Sequence, residues 1–476
     1  MSDATVPLAA PGVSPAQAYV SPVLREPEPA PAATTGPVVW VRKHLVGSVP
    51  QVLLTLFGIW LVYATIPPLI KFFLIDAVWT GANREACLPE KVGRAVGACW
   101  PFVWAKLDQL LYGFYPASER WRVNLVYALG AILLLPLLIQ KIPGKRLNAI
   151  LFFGVFPVVA FVLLTGGNLD MQRFLIGSIG SIGLGDLFAG GGSVQGLRAG
   201  FWIDFAVSTG VVTAIAFLVS RFVAGPQAAP GAAKATLSVF ALLGLIIFAM
   251  DIDLGLPQVE TRLWGGLLVT LVIAVTGITV SLPFGILLAL GRRSKLPLVK
   301  ALSIIFIEFW RGVPLITVLF FATYMLPLFL PGRLTIDGLL RALVGVALFA
   351  SAYMAEVVRG GLQAIPKGQY EGAMAVGLPS HLMLRLVVLP QALKLVIPGI
   401  VNNFIGLFKD TTLVLIVSIF DLLGSMRAAF TDPNWASPTT LFTGFGFAGL
   451  IYFVFCFGMS RYSMALEKRL DRAHRH

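Results

Sequence analysis

Charge is scarce in this sequence. Only 12% of its 476 residues are Asp, Glu, Lys or Arg and 57% are apolar, where soluble domains carry roughly 25% and 45–50%. That excludes an ordinary soluble domain. The apolar residues gather in runs near the ~20 residues that cross a bilayer as helix, so the fold class is an all-α membrane protein. Histidine is scarcer still, at four, with His474 and His476 among the last three residues. Neither a metal-ligand spacing nor a nucleophile triad can be built from them, so an enzyme with a metal or a covalent intermediate is disfavoured. A G-x-x-x-x-G-K-[ST] phosphate loop is also missing. The nearest approach, Gly231-Ala232-Ala233-Lys234, lacks the spacing, so no nucleotide cofactor is expected on this chain. Glycines 177, 180, 183 and 185 form no G-x-G-x-x-G after a strand and read as a flexible loop. No basic segment with an apolar core and a small-residue cleavage site precedes the first apolar run, so that run is expected to direct insertion itself.

What is present is an excess of basic residues, +13 in net charge. They sit in short clusters at the ends of apolar runs, which is the positive-inside bias of membrane proteins rather than a nucleic-acid surface. Arg42, Lys43 and His44 stand before the run 51–70 and place its start in the cytoplasm. Alternation then carries the chain through runs at 121–140, 148–166, 201–220, 236–250, 263–290, 299–328, 338–358, 396–420 and 444–464. Lys141, Lys145 and Arg146 mark one cytoplasmic turn, and Arg292, Arg293 and Lys295 another. The result is a polytopic helical bundle of about ten transmembrane helices with both termini cytoplasmic. Residues 1–38, rich in Ala and Pro, show no helical period and read as disordered. The pair Pro67–Pro68, or the 201–250 region, is a place for a re-entrant segment. Of the three cysteines, Cys456 lies inside an apolar run. Cys87 and Cys99 share a polar external loop, where a disulfide can persist.

Two groups of residues stand out physically. The cytoplasmic stretch 359–390 contains Tyr370, Glu371, Gly372, Ala373, Met374 and Gly377. Tyr370, Ala373, Met374 and Gly377 fall on one helical face by their spacing. Gly377 can end the helix with positive φ, and Pro379 blocks its continuation. This predicts a short helix with a small-residue face suited to another protein, or else an ordinary amphipathic loop helix. The second group is charge inside spans. Glu308 and Arg311 lie about ten residues into the seventh run, and Lys409 and Asp410 a similar distance into the ninth. Such charge costs at least ~2.5–3.5 kcal/mol unless paired or wetted. Glu308 and Arg311 can pair with each other at i, i+3. Otherwise these residues are candidates to meet a substrate's carboxylate and ammonium groups. Glu356 and Arg359 read as a gate or interface pair, and Pro314 and Pro398 as kinks within spans.

From Trp264 to about Arg469 these features add up to a resemblance. The sequence is similar to the permease subunits of ATP-binding-cassette importers for polar amino acids. Glu371, Ala373 and Gly377, followed by Val388-Leu389-Pro390-Gln391-Ala392, match that family's EAA motif, with Gly372 in place of the usual Ala. Gly265-Gly266-Leu267-Leu268-Val269-Thr270-Leu271, Glu308-Phe309-Trp310-Arg311-Gly312-Val313-Pro314-Leu315 and Lys409-Asp410-Thr411-Thr412-Leu413-Val414 match further stretches in order. The five added spans before residue 260 resemble the longer permeases of general L-amino acid and glutamate/glutamine/aspartate/asparagine systems.

The resemblance implies a domain plan: a disordered cytoplasmic tail (1–46), an extension of about five spans (47–259), a type I importer permease core of five spans with a cytoplasmic coupling helix (260–470), and a basic tail (471–476). It also implies partners. These are a second permease subunit forming a heterodimer, a dimeric cytoplasmic ATPase that holds ATP and Mg, and a periplasmic amino acid-binding protein, all in a bacterial inner membrane. The rival reading, a stand-alone transporter driven by an ion gradient, would also place charge inside spans but needs no docking helix. A non-transporting scaffold or sensor would leave Glu308, Arg311, Lys409 and Asp410 without a purpose.

Overall fold

The computed structural model describes residues 36–139, 141–167, 194–329 and 336–472. The expectations for residues 1–35, for most of the glycine-rich loop with its glycines 177 to 185, and for the end of the basic tail lie outside the described residues. Contacts divide the chain into two compact units, one ending at Ile75 and one beginning at Asp76.

In the first unit, α1 (Pro37–His44) precedes α2 (Val49–Ile70). A helix thus forms within the stretch expected to be disordered as far as residue 46. Its proline at the first turn costs nothing there, and its last turn is basic, Arg42, Lys43 and His44, which suits the helix dipole. The Ser48 hydroxyl caps α2 by accepting from the Gln51 N–H. α2 runs through Pro67 and Pro68 without reversing and widens into a π turn at Lys71–Ile75. The two prolines lack donors, so the ladder is re-registered after them.

Among the described residues of the second unit the regular elements are helices, and isolated β-bridges such as Val78 with Cys99 tie its loops. α3 (Trp100–Ala105) and α4 (Leu107–Tyr112) are short. α5 (Arg120–Leu138), α6 (Lys145–Ile150) with α7 (Phe156–Thr165), α8 (Val194–Ala224) and α9 (Ala229–Met250) follow. Then come α10 (Gly266–Arg292), α11 (Pro297–Gly312), α12 (Leu315–Phe320) and α13 (Leu326–Phe329). Last are α14 (Gly338–Ala364), α15 (Lys367–Ala375), α16 (Leu389–Leu395), α17 (Ile397–Asp410), α18 (Leu422–Ala429) and α19 (Thr440–Arg472). Among the described residues nine helices are long and apolar enough to cross a membrane, or ten if one bent pair counts as a span. That bent pair is the seventh expected run, 299–328, with the kink expected at Pro314 enlarged into a sharp turn. Pro297–Gly312 and Leu315–Phe329 meet at 101°. Pro314 offers no N–H and drives Val313 into extended backbone (φ −108°, ψ 133°), so the helix stops there. Pro398, expected to kink a span, instead sits in the first turn of α17, where proline is harmless.

α14 is the central helix of the core, with 56% of its most apolar window buried against 33% for α10. Its small residues, Ala342, Gly345, Ala350, Ser351 and Ala355 among them, let neighbours come close. At the crossing with α10, a Cβ on Gly285 would lie 2.7 Å from the Met354 Cβ. Gly277 of α10 packs as closely on Leu407 of α17.

The polar loop expected to hold Cys87 and Cys99 is a packed layer of short elements, because Phe102, Val103 and Leu110 supply it with a core shared with Leu422, Met426 and Trp435. The two cysteines are joined in a disulfide with Cα atoms 5.7 Å apart. A hydrogen bond from Lys106 holds the Asp432 carboxyl below the usual carboxylate range. Burial pushes Asp421 up, against hydrogen bonds from Gly424 N–H and Tyr452 Oη. The described residues from Asp76 on form one compact unit by their contacts.

Three glycines make that continuity. A Cβ on Gly113 would lie 2.3 Å from Gly265 N, and one on Gly266 would lie 2.2 Å from Leu110 O. Gly266 also has φ +63°, and its N–H donates to Phe420 O and Ser425 Oγ. Gly266→Ala meets both the clash and the left-handed backbone, so it is expected to destabilise the protein by at least about 2 kcal/mol. Thermal unfolding of detergent-purified protein checks this, with Gly58→Ala, where a Cβ has open space, as the neutral comparison.

Candidate coupling helix and charge cluster

The last turn of α10 ends in two consecutive arginines, and each holds a different part of the chain. Arg292 Nη1 donates to Oε1 of Glu308 at 2.8 Å and to Oε1 of Glu356 at 3.0 Å. The other oxygen of Glu356 accepts from Arg359 Nε and Nη2 at 2.9 and 2.7 Å. Arg311 Nη1 stands 3.7 Å from Glu356 and 3.9 Å from Glu308, over the ring of Tyr353. Three arginines and two glutamates from α10, α11 and α14 thus form one cluster, with Glu356 at its centre and the most buried of the five.

Local structure explains the assembly. The close crossing at Gly285 brings the end of α10 beside Glu356. The stop at Pro314 puts Glu308 and Arg311 in the last turns of α11, where a cation complements the helix dipole. The expected pairing of Glu308 with Arg311 is therefore the longest contact in the cluster, and the stronger partner of Glu308 is Arg292.

Lys409 and Asp410 do not join it. They are the final residues of α17, just before a tighter 3₁₀ segment at Thr411–Val417 that packs against α12. Lys409 is exposed and Asp410 half-buried, and among the described residues neither takes part in an ion pair.

α15 is the helix expected between residues 370 and 378. It ends as predicted at Gly377, with φ +76°. The Gly377 N–H donates to Met374 O at 2.9 Å and the Leu378 N–H to Ala373 O at 3.1 Å, the paired bonds of a Schellman motif. The face presented outward differs from the one the periodicity suggested. Tyr370 and Ala373 turn toward this chain, Ala373 being 5% exposed. Gly368, Glu371, Gly372 and Ala375, spaced i, i+3, i+4, i+7, form the opposite, exposed stripe, with Met374 and Val376 exposed at its edges. A Cβ at Gly368 or Gly372 would meet nothing within 4 Å, so the chain's own packing does not require glycine at either position.

Tyr370 is inward for a reason the spacing could not reveal. Arg293 Nη1 donates to Tyr370 Oη at 2.9 Å and to Leu362 O at 3.1 Å, with the guanidinium 5.5 Å from the ring centre. Tyr370 Oη in turn donates to Leu362 O at 3.3 Å. In the sequence, Arg292 and Arg293 read only as markers of membrane orientation. Their partners lie between 16 and 77 residues away, and no local pattern signals them.

Comparison with known proteins identifies the family. Residues 281–472 match the family described as binding-protein-dependent transport system inner membrane component. The chain is 41% identical over 445 residues to the inner membrane amino-acid ABC transporter permease protein YhdY of Escherichia coli (strain K12), covering 94% of this chain and 96% of that one. It is 40% identical over 466 residues to the glutamate/glutamine/aspartate/asparagine transport system permease protein BztC of Rhodobacter capsulatus, covering 96% and 99%. Among solved structures, the crystal structure of an amino acid ABC transporter with histidines is 28% identical, with a TM-score of 0.39 over 43% of this chain and 92% of that one. An exposed, cleanly terminated helix beside a multi-helix charge cluster thus occurs in a sequence that aligns nearly end to end with such permeases. The chain belongs to the permease subunits of amino-acid ABC transporters.

Proposed function

We propose that this permease imports polar L-amino acids across a bacterial inner membrane, with α15 docked in a separate dimeric ATPase. The observation that carries the reading is the exposed stripe Gly368-Glu371-Gly372-Ala375 on a helix fixed at both ends. Small residues allow close approach, and Glu371 offers one directed charge. In this reading the arginines ending α10 and the helix α15 are cytoplasmic, as are both termini, while the Cys87–Cys99 layer faces the periplasm and receives a soluble amino acid-binding protein. A second, related permease subunit completes the pathway. ATP and Mg stay on the ATPase, whose closure rocks the core helices between inward- and outward-open states.

Lys409 and Asp410 are assigned to the substrate path. Adjacent helical residues point about 100° apart, so one meets the α-carboxylate or the α-ammonium while the other faces a neighbouring position. Glu308 and Arg311, tied to Glu356, act at the cytoplasmic end of that path as part of its closure. The test is uptake by the complete importer in proteoliposomes. Asp410→Asn is expected to lower uptake at least about tenfold while the ATPase still co-purifies. Accumulation of amino acid without the ATPase would overturn the docking reading, and unchanged substrate affinity in Lys409→Gln and Asp410→Asn together would remove both from the path.

A further inference from the structure

We infer that the consecutive arginines 292 and 293 are the positioning residues that transmit movement of α15 to the cytoplasmic charge cluster. The inference deepens the docking of α15 proposed above and rests on it. Arg293 joins the end of α10 to Tyr370 of α15 and to the Leu362 carbonyl near the end of α14 through bonds of 2.9 and 3.1 Å. Arg292, one residue before it, joins the same helix end to Glu308 of α11 and Glu356 of α14 through bonds of 2.8 and 3.0 Å. Both linkages are charge-assisted and use a planar guanidinium whose donors are fixed relative to one another, so a displacement of Tyr370 pulls on the backbone that carries Arg292.

Other routes between α15 and the cluster are softer. Pro366 breaks the direct connection from α14 to α15, leaving Ile365 extended at ψ 124°. The contact between Gln369 and Gln391 leads to α16, which packs on α14 at Gly361 through apolar side chains and backbone. α11 itself ends at the 101° bend, so whatever moves Glu308 also reorients the start of α12. Force applied to the exposed stripe of α15 therefore has a short stiff path, Tyr370 to Arg293, Arg292 to Glu308 and Glu356, into the helix whose bend lines the core.

The experiment measures ATP hydrolysis and amino acid uptake separately in the reconstituted importer for Arg293→Ala, Arg293→Lys, Tyr370→Phe and the double variant Arg293→Ala with Tyr370→Phe. Arg293→Ala is expected to keep the ATPase bound and hydrolysing while uptake per ATP falls about tenfold, the factor carried by roughly one charge-assisted hydrogen bond. Tyr370→Phe gives a smaller loss, and the double variant is no worse than Arg293→Ala alone, because both act through one linkage. Arg293→Lys keeps the charge but loses the planar guanidinium that lies over the Tyr370 ring, so it recovers only part of the ratio. An unchanged uptake-to-hydrolysis ratio in Arg293→Ala, or losses that add in the double variant, would overturn the relay. Should Arg293→Ala fail to insert, Tyr370→Phe and Arg293→Lys decide by the same ratio. Normal uptake in Glu371→Lys would instead dispose of the docking reading, leaving the relay without an input.

Discussion

Glu371→Lys should reduce uptake by at least about thirtyfold while the protein inserts and folds normally. Glu371 is exposed, no ion pair among the described residues uses it, and its neighbours on the stripe are Gly368, Gly372 and Ala375. Nothing within the chain therefore suffers from a reversed charge there. The cost falls on the complex, where a charge buried at a close interface and then reversed loses its partner and gains a repulsion, an effect of 2–5 kcal/mol or more and so roughly 30-fold to over a thousandfold. Gly372→Leu reaches the same end by bulk, because its side chain has open space in the free subunit but occupies the surface on which the ATPase would sit. Insertion and thermal stability in detergent, co-purification of the ATPase and uptake are measured on the same preparations. Loss of stability in step with uptake would point to a role inside this chain and against docking. Wild-type uptake in both variants would leave α15 an ordinary connecting helix. Gly377→Leu is a different case, since its φ of +76° makes the replacement strained in the free subunit and its loss of uptake would include a damaged helix end.

The architecture was largely legible from the sequence because bilayer-spanning helices are written in long apolar runs and basic clusters, signals that need no knowledge of partners. The end of α15 was legible for the same local reason: Gly377 followed by Leu378 and Pro379 specifies a Schellman stop in three residues. The bend at Val313-Pro314 was visible as a proline, but its size was not. A kink of 101° depends on what α12 packs against, namely Gly345 of α14 and the 3₁₀ segment after Asp410. The orientation of α15 is not written in its spacing. Spacing identifies two opposite faces and cannot say which is buried, and here the aromatic ring that sides with this chain does so because Arg293 waits for it. The packed layer around Cys87 and Cys99 has no local signature, because its core is assembled from residues more than 300 positions apart, such as Phe102 with Met426. Composition showed only a loop of mixed polarity. The charge cluster was half visible. Glu308, Arg311, Glu356 and Arg359 stood out as charge within apolar runs, whereas Arg292 looked like one more positive-inside residue, and only the crossing at Gly285 brings it to its partners.

Within that cluster the five charges are not equivalent, and a pair of substitutions should show it. Glu356 faces Arg292, Arg359 and Arg311 within 3.0, 2.7 and 3.7 Å, and its side chain is 16% exposed. Glu308 has one short contact, 2.8 Å to Arg292, and is 52% exposed. Removing Glu356 would leave three guanidinium groups converging on a space with a single peripheral carboxylate. Removing the shared acceptor of these half-buried guanidinium groups costs about 1–3 kcal/mol, because their donors lose a charge-assisted partner. Glu356→Ala is therefore expected to destabilise the protein by an amount in that range. Glu356→Gln should fall short of it, since the amide oxygen still accepts from Arg359 although the charge is gone. Glu308→Gln, at an exposed site whose arginine retains Glu356, should cost no more than about 1 kcal/mol. The inequality is the useful quantity, because a cluster that merely decorated the helix ends would give similar small values at both positions. Unfolding of the three variants in one detergent measures it, and equal destabilisation by Glu356→Ala and Glu308→Gln would show that Glu356 is not the residue that holds α10, α11 and α14 together.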